Sequence, residues 1–437
     1  MIKLYDYQTQ YLENMPKNIV MTADVGLGKT IMALEHFRRW SVYRDGRGEY
    51  TRHVSFNTKA DDVWIIPRTK LVVVAPASKV RTGDWQREIE NYFGKLGDGS
   101  NGISYDVVSY EMFVKRMKLS DYINSDTTII IDESHMACNA TTLRGKAVIK
   151  ATRLAKQWIM LSATPLPNGW RSAESYAVLT GLSKNKTDFV QRFVIIDRSR
   201  GFPLIMGYRE KEVLEAWWAK ISKPLERTGD MKLPSENFGV TPEMDKKTAF
   251  TYERALKQRL IRVGDEDEML DNPSKLFVTL RQIPNKVRID ALQSIVESTT
   301  EHIVVFYNFN SEREAMLEML NKSFKGRKLY EQSGHKSHLP PRANWGRIKP
   351  SVTLVQYQSG SQAIELTYAS VTVYLSPCTS YANYEQSKGR TRRNGQEKTT
   401  LFYHIAAEGS LDRHIWGLLK KKQDFSTALF QKLLDIT

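Results

Sequence analysis

The first part of the chain alternates between short apolar runs and longer amphipathic stretches. The apolar runs are Ile19 to Thr22, Lys70 to Ala75, Tyr105 to Ser109, Thr128 to Ile131 and Trp158 to Ser162, and helix-like segments lie between most of them. Continuous apolar runs of this length are typical of strands that are buried on both faces of a sheet. Their alternation with helices predicts an α/β fold, in which a parallel sheet is flanked by helices.

A second series of apolar runs lies in the last third of the chain. It consists of Ile303 to Tyr307, Val352 to Gln356, Val371 to Leu375 and Leu401 to His404. Between the two series the sequence is charged and helical in character, with amphipathic pieces at 213–221 and 249–261. We therefore predict two tandem α/β lobes, at residues 1–168 and 281–437, joined by a short helical connector at 169–280.

The chain carries an excess of positive charge. Its 437 residues include 64 Lys and Arg against 49 Asp and Glu, which gives a formal net charge of +15. Basic side chains recur at helical spacing at Lys146, Lys150 and Arg153, and they cluster at 388–393 and 420–422. Neutralising phosphates with such groups releases condensed counterions, so the charge favours a nucleic-acid partner.

The composition also argues against several classes of protein. No apolar run approaches the ~20 residues that span a bilayer, and the N-terminus lacks a signal-peptide pattern. We therefore expect a cytoplasmic protein without a membrane partner. Cys138 and Cys378 stand far apart with no Cys-x-x-Cys pair, which argues against a zinc site or a disulfide framework.

The segment from Thr22 to Thr30 closely approaches a phosphate-binding loop. Such a loop is a glycine-rich turn between a strand and a helix, and its backbone N–H groups bind phosphates. The pattern predicts that Gly26 and Gly28 shape the turn, that Lys29 reaches the β- and γ-phosphates of a nucleotide and that Thr30 helps to hold Mg²⁺. Alanine stands at position 23, where the strict pattern has glycine.

A pair of carboxylates supplies the acidic metal ligand and the base that this loop lacks. The apolar run from Ile129 to Ile131 ends in Asp132 and Glu133, followed by His135. This arrangement suits Asp132 for holding the metal through water and Glu133 for activating the attacking water. Either segment alone also fits a plain turn or a solvated strand end. Both segments in this order, each after an apolar strand, indicate nucleotide hydrolysis.

The order of motifs along the chain resembles helicase superfamily 2, and specifically its Snf2-like branch of DNA translocases. The matching segments are Leu4 to Gln8 (Q motif), Asp24 to Thr30 (motif I), Val74 to Ser78 with Trp85 and Glu88 (Ia), Val107 to Glu111 (Ib), Asp132 to His135 (II), Leu161 to Asn168 (III), Val304 to Phe309 (IV), Gly360 to Ala369 (V) and Gln386 to Gln396 (VI). The resemblance covers nearly the whole chain. It implies two RecA-like lobes that hydrolyse ATP with Mg²⁺. The compact form is similar to the helicases of bacteriophage replication and recombination modules, which act in the cytoplasm of a bacterial host.

The resemblance also implies roles for individual residues. Those implied to bind ATP are Gln8, which reads adenine, together with Gly26, Gly28, Lys29, Thr30 and Gly360, and those implied to hold Mg²⁺ are Thr30 and Asp132. Those implied to couple hydrolysis to movement are His135, Ser162, Thr164 and Gln386, and those implied to contact nucleic acid are Ser78, Lys79, Ser109, Tyr110, Asn308 and Thr367.

The resemblance places Arg390 and Arg393 at the positions of the family's arginine fingers, which adds them to Lys29, Asp132 and Glu133 as catalytic residues. The physical chemistry supports this. The charge of a phosphoryl-transfer transition state is stabilised by a guanidinium, and such an arginine raises the rate by ~10³ to 10⁵. Arginines supplied by the second lobe make hydrolysis depend on closure of the lobes.

The predicted function is that of an ATP-dependent DNA helicase or translocase that remodels branched DNA in replication, recombination or repair. The alternatives are a protein-displacing translocase on duplex DNA, an RNA helicase and, from another class, a non-catalytic DNA-binding module. RNA stays open as a partner because contacts to the 2′-hydroxyl leave no short motif. A recruiting replication or recombination protein is a further possible partner. The polar insertion at 44–62 is the candidate for recognising a DNA junction.

Overall fold

The computed structural model describes residues 4–24, 26–41, 69–93, 103–118, 121–167, 169–197, 204–227, 234–264, 266–334, 336–357, 364–393 and 396–434. The chain forms two compact units, Met1–Arg227 and Thr228–Thr437. The insertion at 44–62 and Gly360, both named in the sequence-based predictions, lie outside the described residues.

The first unit is built on a parallel six-stranded sheet with the strand order β3-β2-β4-β5-β1-β8. Its strands are β1 (Ile19–Ala23), β2 (Thr69–Ala75), β3 (Ile103–Ser109), β4 (Thr127–Asp132), β5 (Gln157–Ser162) and β8 (Ser222–Leu225), and β6 (Val194–Asp197) and β7 (Leu204–Tyr208) form a separate antiparallel hairpin. All residues of β4 and β5 are buried. Central parallel strands are covered on both faces, which explains their continuous apolar sequences.

Helices flank this sheet. They are α1 (Asp6–Tyr11), α2 (Lys29–Ser41), α3 (Ala77–Arg81), α4 (Asp84–Phe93), α5 (Tyr110–Arg116), α6 (Leu143–Leu154), α7 (Glu174–Thr180), α8 (Lys186–Phe193) and α9 (Lys211–Ile221), with 3-10 turns at Ser134–Ala137 and Gly169–Ala173. Side-chain caps fix several starts. The hydroxyl of Ser109 accepts from the backbone N–H of Met112, and that of Thr142 accepts from Gly145. Such caps satisfy N–H groups that have no partner in the first turn of a helix.

The second unit contains a seven-stranded sheet with the order β14-β13-β15-β12-β16-β17-β9, parallel except for the β13–β14 pair. Its strands are β9 (Ser235–Val240), β12 (Ile303–Tyr307), β13 (Lys328–Gln332), β14 (Ser337–His338), β15 (Ser351–Gln356), β16 (Val371–Tyr374) and β17 (Thr400–Ile405), and β10 (Leu260–Val263) and β11 (Glu266–Met269) form a hairpin. Its helices are α10 (Lys246–Gln258), α11 (Pro273–Gln282), α12 (Asn285–Glu297), α13 (Asn310–Ser323), α14 (Tyr381–Thr391), α15 (Leu411–Lys420) and α16 (Thr427–Leu434), with a 3-10 turn at Arg342–Arg347.

The two sheets confirm the predicted α/β fold. In both, the apolar runs of the sequence coincide with strands, but β13, which has three buried residues, was not predicted. The stretch 169–280, predicted as a helical connector, is shared between the two units and contains strands as well as helices. Its strands β8 and β9 pair with the edge of one sheet each. An edge strand needs little apolar sequence, so the pattern of residues did not reveal these two.

A buried ion group ties three helices of the second unit together. Arg288 on α12 lies 3.2 Å from Glu312 on α13 and 2.6 Å from Asp412 on α15, with all three side chains at most 1% exposed. Buried charges are tolerated when they are paired in this way.

Among the helices that the structure describes, none is long and apolar enough to cross a membrane.

Candidate active site

The predicted motifs of the first unit lie at one edge of its sheet. The phosphate-binding loop follows β1, motif Ia follows β2, motif Ib follows β3, motif II follows β4 and motif III follows β5. All these strands are parallel. Their carboxyl ends therefore meet at the same edge, where α/β proteins bind ligands.

Lys29 lies at the start of α2 and turns back over the loop. Its ammonium donates to the backbone carbonyls of Ala23 (2.5 Å) and Asp24 (3.2 Å). Desolvation lowers the pKa of Lys29 to about 8, an effect that the neighbouring Glu133 carboxylate partly offsets. An anion in contact with this ammonium would favour its charged form. The lysine is therefore suited to bind a phosphate.

Gln8 contacts the loop directly. Its side-chain amide donates to the carbonyl of Leu27 (3.0 Å), and its amide oxygen accepts from the backbone of Tyr5 (3.1 Å). Gly28 has a φ of +80°, and a Cβ there would lie 2.4 Å from the Gln8 amide nitrogen. Glycine is thus needed at position 28 both for the backbone conformation and for the close approach of Gln8. Gly26, at a φ of +86°, also adopts a conformation that favours glycine.

Asp132 ends β4 and is 4% exposed. One oxygen of its carboxylate, Oδ2, accepts from the ammonium of Lys79 (2.8 Å) and from the indole N–H of Trp85 (2.9 Å). Its backbone carbonyl accepts from the hydroxyl of Tyr110 (2.8 Å). Donors from elements that follow β2 thus hold the Asp132 carboxylate. A residue that follows β3 holds the Asp132 backbone.

Glu133 adopts a left-handed backbone conformation, with φ 53° and ψ 50°. This region is uncommon for residues other than glycine, asparagine and aspartate, and it persists at functional sites where the surroundings enforce it. The Glu133 carbonyl accepts from the Tyr110 hydroxyl at 3.2 Å. Its carboxylate lies 3.4 Å from the Lys79 ammonium and 3.5 Å from Nδ1 of His135. The bend after Asp132 therefore points Glu133 toward basic groups rather than along the strand.

A chain of polar contacts connects motif II with motif III. Nδ1 of His135 lies 3.2 Å from Oγ of Ser162, and this oxygen also accepts from the backbone N–H of Thr164 (3.1 Å). The structure thus brings together three of the residues predicted to couple hydrolysis to movement, and it joins them to Glu133 through His135. The Thr164 hydroxyl is buried and has no hydrogen-bond partner among the described residues.

Two residues predicted to contact nucleic acid have other partners. Tyr110 is 1% exposed, and its hydroxyl holds the backbone of Asp132 and Glu133. Burial raises the pKa of this tyrosine well above its usual value. We therefore correct the prediction for Tyr110, because a side chain with so little exposed surface positions motif II rather than binding DNA. Lys79 points to the carboxylates of Asp132 and Glu133.

The other predicted nucleic-acid contacts of the first unit are partly exposed. Ser78 lies in α3, and Ser109 caps α5 through its hydroxyl. Thr30, predicted as a metal ligand, lies in the first turn of α2 and is also partly exposed.

In the second unit, the predicted motif VI residues lie on or next to α14. Gln386 and Arg390 are 8% and 7% exposed, and Arg393 follows the helix with partial exposure. Nη1 of Arg390 lies 3.5 Å from the carbonyl of Ile364, at the limit of a hydrogen bond. The backbone of Arg390 accepts from the N–H of Leu366 (3.0 Å). The helix is thus attached to the segment of motif V.

Asn308 and Thr367, also predicted to contact nucleic acid, make contacts within the second unit. The side-chain amide of Asn308 donates to the hydroxyl of Ser376 (2.8 Å) and to the carbonyl of Pro377 (3.1 Å). Thr367 is 7% exposed, and its hydroxyl donates to Glu365 at 3.3 Å. In the structure these two side chains therefore stabilise the turns that follow β12 and precede β16.

The residues predicted for Mg²⁺ fit that ion chemically. Magnesium in nucleotide sites is held by one or two protein oxygens together with phosphate oxygens and water. Thr30 and Asp132 supply a hydroxyl and a carboxylate, and no cluster of three or more His, Cys, Asp or Glu that could form an all-protein site occurs in the part of the chain that the structure describes.

Sequence reasoning missed several residues that shape this site. It named Trp85 within motif Ia but not as a donor to Asp132, and it did not find Tyr176, whose hydroxyl lies 2.9 Å from Oγ of Ser134. Arg227 also escaped notice, although its backbone N–H donates to the Asp24 carboxylate. A sequence gives no signal for such contacts, because the partners are far apart along the chain.

Comparisons with known proteins agree with the motif order. A model of the SNF2-related domain matches residues 7–194. The chain is 21% identical over 445 residues to the SWI/SNF-related matrix-associated actin-dependent regulator of chromatin subfamily A-like protein 1 of Xenopus tropicalis, covering 94% of this chain and 46% of that protein. It is also 21% identical over 463 residues to the Caenorhabditis elegans homolog of that protein, covering 97% of this chain and 61% of the relative.

The chain therefore spans about half the length of the curated relatives that it matches. Among solved structures, the Sulfolobus solfataricus SWI2/SNF2 ATPase core in complex with dsDNA aligns with 100% of this chain and 95% of its own, at 17% identity and a TM-score of 0.41.

Proposed function

We propose that the chain, which a model of the SNF2-related domain matches at residues 7–194, is a Snf2-like member of helicase superfamily 2. From this premise we propose that it is an ATP-hydrolysing motor that moves on DNA. The observation that carries the proposal is the convergence of Lys29, Asp132 and Glu133 at the carboxyl edge of the first sheet. Lys29 is far from Asp132 and Glu133 in the sequence, so it is the fold that brings these residues together.

The chemistry assigned to each residue follows from its surroundings. Lys29, a desolvated ammonium above backbone carbonyls, binds the phosphates of ATP. Glu133, with its backbone fixed by Tyr110, orients the attacking water and accepts its proton. Asp132 and Thr30 would hold Mg²⁺, which when bound neutralises charge on the phosphates.

Polar contacts run from Glu133 through His135 to Ser162 and Thr164. They connect the proposed site of hydrolysis with motif III. Loss of the γ-phosphate changes the charge around Glu133, and His135 lies within 3.5 Å of that carboxylate. A shift of His135 alters its contact with Ser162, and with it the backbone at Thr164. We infer that this route carries the state of the ATP site toward the nucleic acid.

We further propose that Arg390 and Arg393 complete the site. Arg390 lies in the last turn of α14, and Arg393 follows the helix. A guanidinium there would stabilise the transition state only when the two lobes close, and that dependence turns hydrolysis into stepwise movement.

The partner that we propose is DNA, and branched DNA as the preferred form. The support is the net charge of +15, which favours a polyanion, together with the family resemblance. Predictions of a bacteriophage source and of a recruiting protein rest on that resemblance alone.

The decisive experiment measures ATP hydrolysis by the full chain on a panel of nucleic acids. Matched single-stranded, duplex, forked and four-way DNA are compared with duplex RNA at one salt concentration. We expect stimulation by duplex DNA and greater stimulation by forked or four-way DNA. Stimulation by RNA alone would indicate an RNA helicase, equal stimulation by linear and branched DNA would favour a protein-displacing translocase, and no hydrolysis on any substrate would overturn the proposal.

A further inference from the structure

Two donors from the segment that follows β2 converge on a single oxygen of Asp132. The Lys79 ammonium and the Trp85 indole N–H both bind Oδ2, at 2.8 and 2.9 Å. The same ammonium lies 3.4 Å from Oε1 of Glu133. Lys79 thus bridges both carboxylates of motif II, although its place in motif Ia predicted a contact with nucleic acid.

The surroundings make this bridge strong. The side chains of Asp132 and Glu133 are 6% and 15% exposed, and that of Lys79 is 20% exposed. Charges so far removed from water interact more strongly than surface pairs and are screened less by salt. A single ammonium therefore balances a large part of the negative charge of the carboxylate pair.

We propose that Lys79 is a built-in counter-cation of motif II, which competes with the metal for Asp132 and is displaced when the metal-nucleotide complex binds. The inference rests on the proposed function, because it assumes that Asp132 holds Mg²⁺. A dication at this carboxylate and the Lys79 ammonium repel each other. The dication carries twice the charge and is accompanied by phosphates, so the lysine is the partner that leaves.

Displacement gives Lys79 a second role. The residue lies in α3 next to Ser78, which is partly exposed. A flexible four-carbon side chain that leaves the carboxylates can carry its ammonium to a phosphate of nucleic acid. Metal-nucleotide binding would then strengthen DNA binding and, by reciprocity, DNA would strengthen metal-nucleotide binding.

The test compares Lys79→Gln with the parent and with Lys79→Arg, which keeps the charge. The matched control is Lys70→Gln, because Lys70 is also a lysine of this region but donates to the carbonyl of Tyr122 at 2.6 Å. Binding of Mn²⁺ to the full-length protein with saturating ADP is followed through the loss of the free-ion signal in electron paramagnetic resonance. ADP binding in EDTA is measured in parallel.

Removal of the competing charge should raise the Mn²⁺ affinity of Lys79→Gln roughly tenfold or more. Lys79→Arg and Lys70→Gln should stay near the parental affinity, and ADP binding in EDTA should be the same in all variants. Unchanged Mn²⁺ affinity in Lys79→Gln would overturn the inference. Weaker ADP binding in EDTA would also overturn it, because Lys79 would then be a phosphate ligand. Absence of ADP binding in the parent would instead contradict the proposed function.

A second measurement needs only the parental protein, so the inference stays testable if Lys79→Gln does not fold. The salt dependence of DNA binding is measured with and without ADP, at the same Mg²⁺ concentration in both conditions. Release of one ammonium to a DNA phosphate should steepen the slope of log K against log salt by about one. An identical slope in both conditions would overturn the inference, because Lys79 would then not leave the carboxylates for the DNA.

Discussion

At the scale of the residue, a change at Glu133 should affect the hydrolysis of ATP without affecting its binding. Glu133→Gln keeps the shape of the side chain but removes the base, so it should abolish turnover while ATP binding is retained. Lys29→Ala removes the ammonium that contacts phosphate, so it should weaken both. Equilibrium binding of ATP to the two variants, measured beside steady-state hydrolysis, checks this assignment. Loss of binding in Glu133→Gln would contradict it.

Tyr110 offers a second residue-scale prediction. Its hydroxyl donates to the carbonyls of Asp132 and Glu133, so Tyr110→Phe should lower kcat roughly tenfold through poorer placement of Glu133. DNA affinity should not change, because the side chain is buried. Tyr105→Phe is the matched control, since it removes an exposed tyrosine hydroxyl from β3, the strand that ends just before Tyr110. A loss of DNA affinity in Tyr110→Phe with unchanged kcat would restore the original prediction of a nucleic-acid contact.

At the scale of the element, helix α14 carries the predicted arginine fingers. Replacing Arg390 or Arg393 by alanine should lower kcat by roughly 10² or more, with little change in DNA affinity, if the arginines act on ATP. If they bind phosphates of DNA instead, affinity should fall and its salt slope should shrink by about one per arginine.

A salt titration of DNA binding distinguishes the two outcomes. Lys398→Ala is the control for the loss of one cation, since Lys398 is exposed and pairs with Glu301 at 2.7 Å. Arg390 is buried, so thermal unfolding of each variant must accompany the kinetics. Arg393 is the sharper test because it is partly exposed.

The elements also show how far the sequence could be interpreted. Strands with continuous apolar sequence, such as β4 and β12, were predicted within a residue of their ends, because burial on both faces leaves no polar positions. The edge strand β9, with the sequence Ser-Glu-Asn-Phe-Gly-Val, was not predicted, since most of its residues are exposed. Its place in the sheet comes from pairing with β17, which no local pattern reports.

The candidate site, like the strands, could be predicted from the sequence only in part. The residues of the phosphate-binding loop and of motif II follow from spacing, because their chemistry requires fixed residue types at fixed intervals. The roles of Tyr110 and Lys79 do not follow from spacing. Each depends on which strand lies beside which, and the order β3-β2-β4 is a property of the folded sheet.

At the scale of the whole molecule, the buried His36 and the partly buried His404 predict sensitivity to acid. Desolvation lowers the pKa of His36 and of His404 to about 4, against about 6.5 in the unfolded chain. Between these values the unfolded state binds more protons than the folded state. The stability that these histidines contribute is therefore complete above pH 6.5 and is lost as the pH falls toward 4.

At pH 5 the free energy of unfolding should be lower than at pH 7 by about 2 kcal/mol for each histidine. Urea unfolding at both pH values measures this difference. His404→Phe should reduce the pH dependence, and His414→Gln, which removes an exposed histidine, serves as control. An equal pH dependence in the parent and in His404→Phe would show that His404 does not contribute.

The left-handed backbone at Glu133 lowers the stability of the folded protein, while the glutamate side chain is needed for the proposed hydrolysis. A residue other than glycine in that conformation costs about 1 kcal/mol, so Glu133→Gly should raise the melting temperature while hydrolysis is lost. Sequences that drift without selection for activity would gain stability by this single change. Calorimetry of Glu133→Gly beside Glu133→Gln would measure how much stability the glutamate backbone conformation costs.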